Sequence, residues 1–577
     1  MKKLRVYLKK YRKESILAPL FKMLEALFDL FVPLVTSYII NVGIQNRDTG
    51  SIAKSCGLLV FLAVIGLACS SVAQYFAAKA AVGCAADLRH DLFARIQSFG
   101  FSEMDSVGTS TLITRMTSDI NQVQSGVNLF LRLFLRSPFV VFGAMILAFT
   151  INTKAALIFV VAIPILSVIV FGVMLWTMPL YKKVQSRLDS VTGITRENLS
   201  GVRVIRAFNK QDAEVEQFEN ANRLLTKMQL HVGRISALMN PLTYLVINLA
   251  IIAILNTGAV QISVGSLRAG DVVALISYMT QILIELVKLA NLIIQVTKAL
   301  ACAGRVQAVL DRKPAMNFPA EVSGPDTAEA DCAVCFDRVG LRYGDAGGDS
   351  LTDISFRAAP GQTIGVIGGT GSGKSSLVNL IPRFYDATAG TVSIFGRSVR
   401  EWPKKALRSH IGTVMQKAQL FSGTIRSNLL LGNESASDDD LWNALETAQA
   451  ADFVRTKSKG LDEPVEQGGR NFSGGQKQRL TIARALVKKP DILIMDDSAS
   501  ALDFATDAAL RKAIAALPGS LTVFIVSQRT SSLQHADRIL VLEDGRLVGS
   551  GTHSELLQNC EAYREIYESQ FRKGEDR

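Results

Sequence analysis

Two apolar patterns divide the chain near residue 310. Before that point, runs of about 20 mainly apolar residues recur, the length a helix needs to cross a bilayer. Six can be placed: Ile16 to Ile40, Ile52 to Cys84, Leu129 to Thr150, Ala155 to Met178, Ile235 to Ile262 and Asp271 to Leu300. After it, short β-type runs alternate with helical ones, the pattern of an α/β fold around a mainly parallel sheet. Between the two lies a stretch rich in Pro, Ala, Glu and Asp without an apolar period, which reads as a linker. The expected architecture is an α-helical six-span membrane domain (1–310), a linker (311–330) and an α/β domain (331–577).

The segments between spans alternate in length. Those around Asn46–Gly50, Asn152–Lys154 and Ser263–Gly270 are short, whereas Ala85–Asn128 and Pro179–Arg234 are long and polar. The long ones carry the Lys/Arg excess, among them Arg89, Arg95 and Arg115, then Lys182, Lys183, Arg187 and Arg196. An excess of basic residues marks cytoplasmic loops, so both long segments and both termini are expected in the cytoplasm of a multi-pass cell-membrane protein. Each long segment has a small-residue break, at Ser106–Ser110 and at Asn198–Gly201, where a helix–turn–helix elbow is expected.

Composition refines this picture. The 577 residues exceed a usual single domain, and 49% are hydrophobic. The net charge of +12 would suit a nucleic-acid partner. However, Lys2, Lys3, Arg5, Lys9, Lys10, Arg12 and Lys13 alternate with Leu4, Tyr7, Leu8 and Tyr11 just before the first span. That is an amphipathic segment for a lipid surface, and nucleic acid is excluded as a partner. The seven cysteines are scattered, and Cys332 and Cys335 form a lone CxxC that reads as part of a strand, consistent with a reduced soluble half.

A few ionisable residues interrupt the spans. Glu25 and Asp29 share a helix face near Lys22, Arg132 and Arg136 share another, and Glu285 and Lys288 lie in the sixth span. Charge in lipid is costly, so such groups face a cavity or a partner. Glu25, Asp29 and Glu285 are candidates for a substrate pathway or for interhelical ion pairs; Lys22 and the arginines read as ion-pair partners.

The chemistry concentrates in the second half. Gly368-Gly369-Thr370-Gly371-Ser372-Gly373-Lys374-Ser375 follows the apolar run Thr363–Ile367 and precedes a helical stretch. A glycine, four free positions and Gly-Lys-Ser between strand and helix is a phosphate-binding loop. Glycines let backbone N–H groups wrap a polyphosphate, Lys374 reaches the outer phosphates, and Ser375 offers its hydroxyl to Mg²⁺. A nucleoside triphosphate with Mg²⁺ is therefore the expected ligand. Tyr343 upstream can stack on a nucleobase. Downstream, Ser473-Gly474-Gly475-Gln476 opens a helix, and Asp491–Asp496 is an apolar strand ending in a carboxylate suited to hydrated Mg²⁺.

In this order the pieces resemble the nucleotide-binding domain of an ATP-binding cassette (ABC) transporter. The first half resembles the six-helix domain of the exporter fold, so the likeness covers nearly the whole chain. It implies that Gly368 to Ser376 is Walker A, Tyr343 the adenine-stacking residue and Gln416 the Q-loop glutamine near Mg²⁺. It further implies that Ser473 to Gln476 is the signature motif, with Phe472 in place of the usual Leu. Asp496 would end Walker B, and Ser500 to Asp503 would be the D-loop. The elbows at Ser106–Ser110 and Leu199–Ile205 resemble coupling helices. One membrane domain fused to one nucleotide domain makes a half-transporter, and the family pattern sandwiches two ATPs between two such halves.

Two positions depart from the family. The Glu expected after Walker B is Asp497, and the switch His is Gln528. Asp sets its carboxylate one methylene short, and an error of about 1 Å in a reacting group can cost roughly a hundredfold in rate. Gln can hydrogen-bond a phosphate but cannot carry imidazolium charge. The expectation is a poorly hydrolysing ATP site, in a heterodimer whose partner supplies the intact Glu and His. Paired bacterial multidrug exporters resemble this arrangement, which implies efflux of small hydrophobic or amphipathic compounds, drug or lipid in type. The alternatives are a slow homodimeric exporter, an exporter-fold importer of siderophore type, and a nucleotide-regulated membrane module that transports nothing.

Overall fold

The computed structural model describes residues 5–320, 331–344, 347–498 and 501–571. Lys2, Lys3, the second half of the linker and Ser500 fall outside that range. The chain forms two compact units: one comprises residues 1–97 and 110–312, the other 98–109 and 313–577. The segment 98–109, which the sequence places in the first domain, thus belongs to the second unit.

The described residues of the first unit form helices joined by short turns. Helix α1 (Arg5–Lys10) precedes α2 (Arg12–Tyr38) and α3 (Thr49–Gln97). In the second unit lies α4 (Phe101–Val107), and the first unit resumes with α5 (Thr109–Thr114), α6 (Ile120–Leu133) and α7 (Arg136–Ile151). Then follow α8 (Thr153–Ala207), α9 (Gln211–Ala237), α10 (Met239–Ser263) and α11 (Ala269–Asp311). Among the described residues, six helical stretches are long and apolar enough to cross a membrane. At 1.5 Å per residue, the 55 residues of α8 run about 80 Å, well beyond the roughly 30 Å of a hydrocarbon core. Lipid offers no hydrophobic drive between helices, so small residues carry the packing. On α3, Ala73, Ala77, Ala80, Cys84 and Leu88 make one buried stripe, and Ala144, Ala148, Ala155 and Ala156 sit in the core between α7 and α8.

The break expected at Asn198–Gly201 is not there. Helix α8 runs through it, with the Asn198 amide donating to the Ile194 carbonyl and to Glu214 on α9. The chain turns later, at Asn209, whose left-handed backbone (φ +51°) Asn tolerates better than other residues. Leu199–Ile205 is therefore the end of a helix, with Leu199, Val204 and Phe208 exposed near its tip. At the first elbow, α4 ends where Gly108 adopts φ +79°.

The second unit is α/β. Its antiparallel sheet joins β1 (Val334–Leu341), β2 (Leu351–Ala358), β4 (Ala389–Ile394) and β5 (Arg397–Ser398), with the order β2-β1-β4-β5. Cys335 lies within β1 and Cys332 just before it. Its main sheet has the order β12-β11-β3-β10-β9-β6. These are β3 (Thr363–Gly368), β6 (Ile411–Val414), β9 (Ile492–Asp496), β10 (Thr522–Val526), β11 (Arg538–Glu543) and β12 (Arg546–Gly551). All neighbours pair in parallel except β11 with β12, and β9 and β10 are buried at every position, as strands covered on both faces must be. Helices α12 (Lys374–Leu380) and α13 (Lys404–Ser409) flank the sheets, while β7 (Gly423–Thr424) and β8 (Pro464–Val465) pair at the edge of a helical lobe. That lobe holds α14 (Ile425–Leu429), α15 (Asp438–Thr447), α16 (Ala451–Arg455) and α17 (Gly474–Val487); α18 (Phe504–Ala515), α19 (His553–Asn559) and α20 (Glu561–Phe571) complete the unit.

Candidate nucleotide site

Strand register builds the site. Val526 on β10 pairs with Val366 on β3 and with Asp496 on β9, and Val414 on β6 pairs with Met495. The C-terminal ends of four adjacent strands therefore finish near one level. The phosphate loop leaves β3 there, Gln416 follows β6, Asp497 follows β9, and Ser527-Gln528 follows β10. Open α/β sheets bind ligands in this crevice beyond the carboxyl ends of their strands.

The crevice is a cavity of about 600 Å³ whose lining includes Lys374, Ser375, Gln416, Asp496, Asp497 and Gln528. Gly371 and Gly373 hold left-handed φ values of +87° and +93°, and a Cβ on Gly373 would lie 2.8 Å from the Ser350 carbonyl. The loop thus needs glycine at that close approach. Lys374 is buried and donates to the carbonyls of Gly368 (2.9 Å) and Gly369 (2.5 Å); burial pushes its ammonium below the usual lysine range. The Ser375 hydroxyl donates to Asp496 Oδ1 at 3.0 Å, and burial raises the Asp496 carboxyl above the usual range. A buried lysine beside a buried carboxylate and hydroxyl fits a magnesium–polyphosphate group, whose charges would restore both ionised forms. Ser375 and Asp496 are the residues that would hold Mg²⁺, which supplies charge neutralisation on phosphate oxygens.

Tyr343 is partly exposed, donates to Ser376 Oγ at 3.0 Å, and meets the Tyr385 ring edge-on at 4.9 Å. The Tyr385 hydroxyl donates in turn to Asp105 on α4 at 2.6 Å, while Phe101 on the same helix stacks on Phe384. A chain of side chains thus links α4 to the residue beside the phosphate loop.

Ser473, Gly474, Gly475 and Gln476 do not line this cavity. Ser473 caps α17, exchanging hydrogen bonds with Gln476 (3.0 and 3.3 Å). Phe472 is buried edge-on to Phe453, so its ring fills core space at the position where leucine is usual. Asp503 caps α18 through Thr506, and those hydrogen bonds hold its carboxyl below the usual range.

Gln570 on α20 adds a group no motif announces. Its side-chain amide donates to the Gln528 carbonyl (2.7 Å) and accepts from the Thr530 amide (3.0 Å) and hydroxyl (2.9 Å). The backbone on both sides of Arg529 is therefore pinned by one side chain from the last helix. Sequence holds no signal for it.

In the membrane unit, Glu25, Asp29 and Glu285 do come together, around Arg136. Arg136 pairs with Glu285, with Asp29 at 2.9 Å and with Glu25 at 3.9 Å; Lys22 pairs with Glu25 and Lys288 with Glu285. Arg136 on α7 thus pairs across to α2 and α11, while Lys22 and Lys288 pair within their own helices, and the charge of the carboxylates is matched by three cations.

Comparison with known proteins agrees with this geometry. A family model described as "ABC transporter transmembrane region" matches residues 15–286, and one described as "ABC transporter" matches 351–500. The "Uncharacterized ABC transporter ATP-binding protein YfiB" of Bacillus subtilis is 37% identical over 577 residues, spanning 100% of both chains. The "ATP-dependent lipid A-core flippase" of Desulfotalea psychrophila is 31% identical over 486 residues, 84% of each. Among solved structures, a bacterial Atm1-family ABC exporter with ATP bound superposes with a TM-score of 0.78 at 22% identity, over 98% of each chain.

Proposed function

Since the chain belongs to the ABC transporter family, as a multi-pass half-transporter with an ATP-hydrolysing domain, we propose that it is the degenerate half of a heterodimeric exporter. The observation that carries this is the placement of Asp497 and Gln528 on the same cleft as Lys374, Ser375 and Asp496. Where the family pattern calls for a Glu base and a His switch, this cleft has a shorter carboxylate and an amide that cannot become cationic. Such a site binds MgATP through Gly368 to Ser376, Gln416 and Asp496, stacks the base on Tyr343, and turns over slowly.

Catalysis at the opposite site uses Ser473 to Gln476, which lie outside this chain's own cavity and are exposed apart from the half-buried Gly475 and Gln476. There the α17 amides face a partner's γ-phosphate, with Asp503 beside them. The exposed Leu199, Val204 and Phe208 at the α8 tip suit a contact with that partner. ATP drives transport only through its stronger binding to the closed pair of nucleotide domains. A site that holds ATP without cleaving it supplies that bias while the other site resets the cycle. In this reading both termini and the 331–577 domain lie in the cytoplasm, which the basic residues of the long loop segments support. The cargo is a hydrophobic or amphipathic small molecule, drug or lipid in type, in keeping with the flippase relative.

The test is reconstitution with a second half-transporter that has Glu and His at the two positions. ATP hydrolysis and ATP-dependent uptake into inside-out vesicles should need both chains and survive Asp497→Asn in this one. Vigorous hydrolysis by this chain alone would overturn the heterodimer, and uptake into right-side-out vesicles would overturn export.

A further inference from the structure

At the start of the membrane unit lies a cavity of about 810 Å³, within the roughly 300–1,000 Å³ of small-molecule sites. It is bounded by α1, α2, α3, α6 and α11, and its wall is almost wholly apolar, with Val127, Phe130, Val296 and Leu300 among the lining residues. Phe130, Leu300 and the neighbouring Ile16 are also exposed on the outside of the unit, so the apolar wall continues onto an apolar outer surface.

Two cations stand on this wall, Lys9 and Arg12. Their neighbours are committed elsewhere: Lys10 pairs with Asp87 at 3.0 Å and Lys79 with Glu14 at 3.0 Å. Lys9 and Arg12 have no ion-pair partner among the described residues. Ser15, one turn beyond Arg12 and also on the wall, has a buried hydroxyl without a hydrogen-bond partner, an unusual expense for a polar group. Two unspent cations and an unsatisfied hydroxyl beside an apolar pocket are complementary to an acidic headgroup carrying acyl chains. Lys9 lies on α1, and Arg12 and Ser15 lie on the first turn of α2, in the basic amphipathic stretch whose composition suits a headgroup layer.

We propose that this cavity is a binding site for one anionic phospholipid of the leaflet that α1 lies on, with its phosphate held by Lys9, Arg12 and the Ser15 hydroxyl and its chains against Val127, Phe130 and Leu300. The phospholipid is a resident ligand that ties α1 to α6 and α11. Its binding needs no nucleotide and no partner chain, so it stands apart from the transport reading.

The test is native mass spectrometry of the delipidated full-length protein in mild detergent, titrated with phosphatidylglycerol or with phosphatidylcholine of the same acyl chains. One phosphatidylglycerol per chain should bind tighter than phosphatidylcholine. Lys9→Gln with Arg12→Gln should weaken it about thirtyfold, two cations' worth of attraction to an acidic headgroup. Leu300→Trp, which fills the cavity and leaves both cations in place, should abolish the tight site. Retention of the native thermal midpoint by these variants separates lost binding from lost folding. Equal affinity for the two lipids, or unchanged phosphatidylglycerol binding in the Lys9/Arg12 variant, would overturn the proposal. So would disulfide cross-linking of Leu300→Cys to a second chain that phosphatidylglycerol fails to suppress, because the cavity would then be a protein interface.

Discussion

Replacing Arg136 by Met should destabilise the membrane unit by about 3 kcal/mol. The Arg136 side chain is 10% exposed and stands among three carboxylates, each with a different fallback. Glu25 keeps Lys22 at 2.5 Å, and Asp29, 47% exposed, recovers solvation. Glu285 is the exposed weakness of the network: only 4% accessible, it keeps the Ser137 hydroxyl at 2.8 Å and the half-exposed Lys288 at 2.9 Å but loses its buried counter-charge. Breaking a buried pair by removing one partner costs about 3–5 kcal/mol, and the surviving contacts place this case at the lower end. The assay is unfolding of the detergent-solubilised protein in a denaturing-detergent titration. Glu285→Gln in the same background should recover most of the loss, because it removes the stranded charge, and the double-mutant cycle isolates the coupling. A loss below about 0.5 kcal/mol for Arg136→Met, or no recovery in the double variant, would refute the idea that this network holds α2, α7 and α11 together.

Three further outcomes follow from the second unit. Gln570→Ala removes three hydrogen bonds from the segment around Gln528 and Thr530, so amide exchange there should speed by about tenfold to a hundredfold while β10 stays protected, as read by hydrogen-exchange mass spectrometry. Tyr343→Ala should weaken ATP binding by about tenfold to a hundredfold in a fluorescent-nucleotide titration, the worth of one aromatic–base stack, without changing the thermal midpoint of the ligand-free protein. Burial, with His535 nearby, holds His553 below the ordinary value of 6.5, and its Nδ1 is 2.7 Å from the buried Tyr563 hydroxyl. The unfolded chain then takes up this proton at a higher pH than the folded one, so His553's contribution is present above about 6.5 and is lost as pH falls below it. His553→Phe should flatten the pH dependence of the second unit's thermal midpoint in that window.

The apolar pattern carried most of the architecture. Spans and buried parallel strands are both apolar runs that differ in length, about 20 residues against five or six, and it is the observed strand register that brings the phosphate loop, Asp496 and Gln528 to one level. What local patterning could not carry was of two kinds. Asn198–Gly201 has the composition of a turn, yet Asn198 bonds both its own helix and Glu214, and helix α8 continues until Asn209 accepts the left-handed step. The other kind is distance along the chain: Arg136 meets Asp29 across 107 residues and Glu285 across 149, and Gln570 reaches back 42 residues to Gln528. Pairings of that separation are decided by how helices and strands pack, which no window of sequence records.

The central claim, that Asp497 and Gln528 make this chain's nucleotide site a holding site, is tested most directly by steady-state ATP hydrolysis of the reconstituted pair whose partner has its own catalytic Glu changed to Gln, so that only this chain's site is read. The native site should hydrolyse slowly, and Asp497→Glu with Gln528→His should raise the rate by about a hundredfold, the scale set by moving a reacting carboxylate by one methylene. A native site that already hydrolyses as fast as the double variant would contradict it.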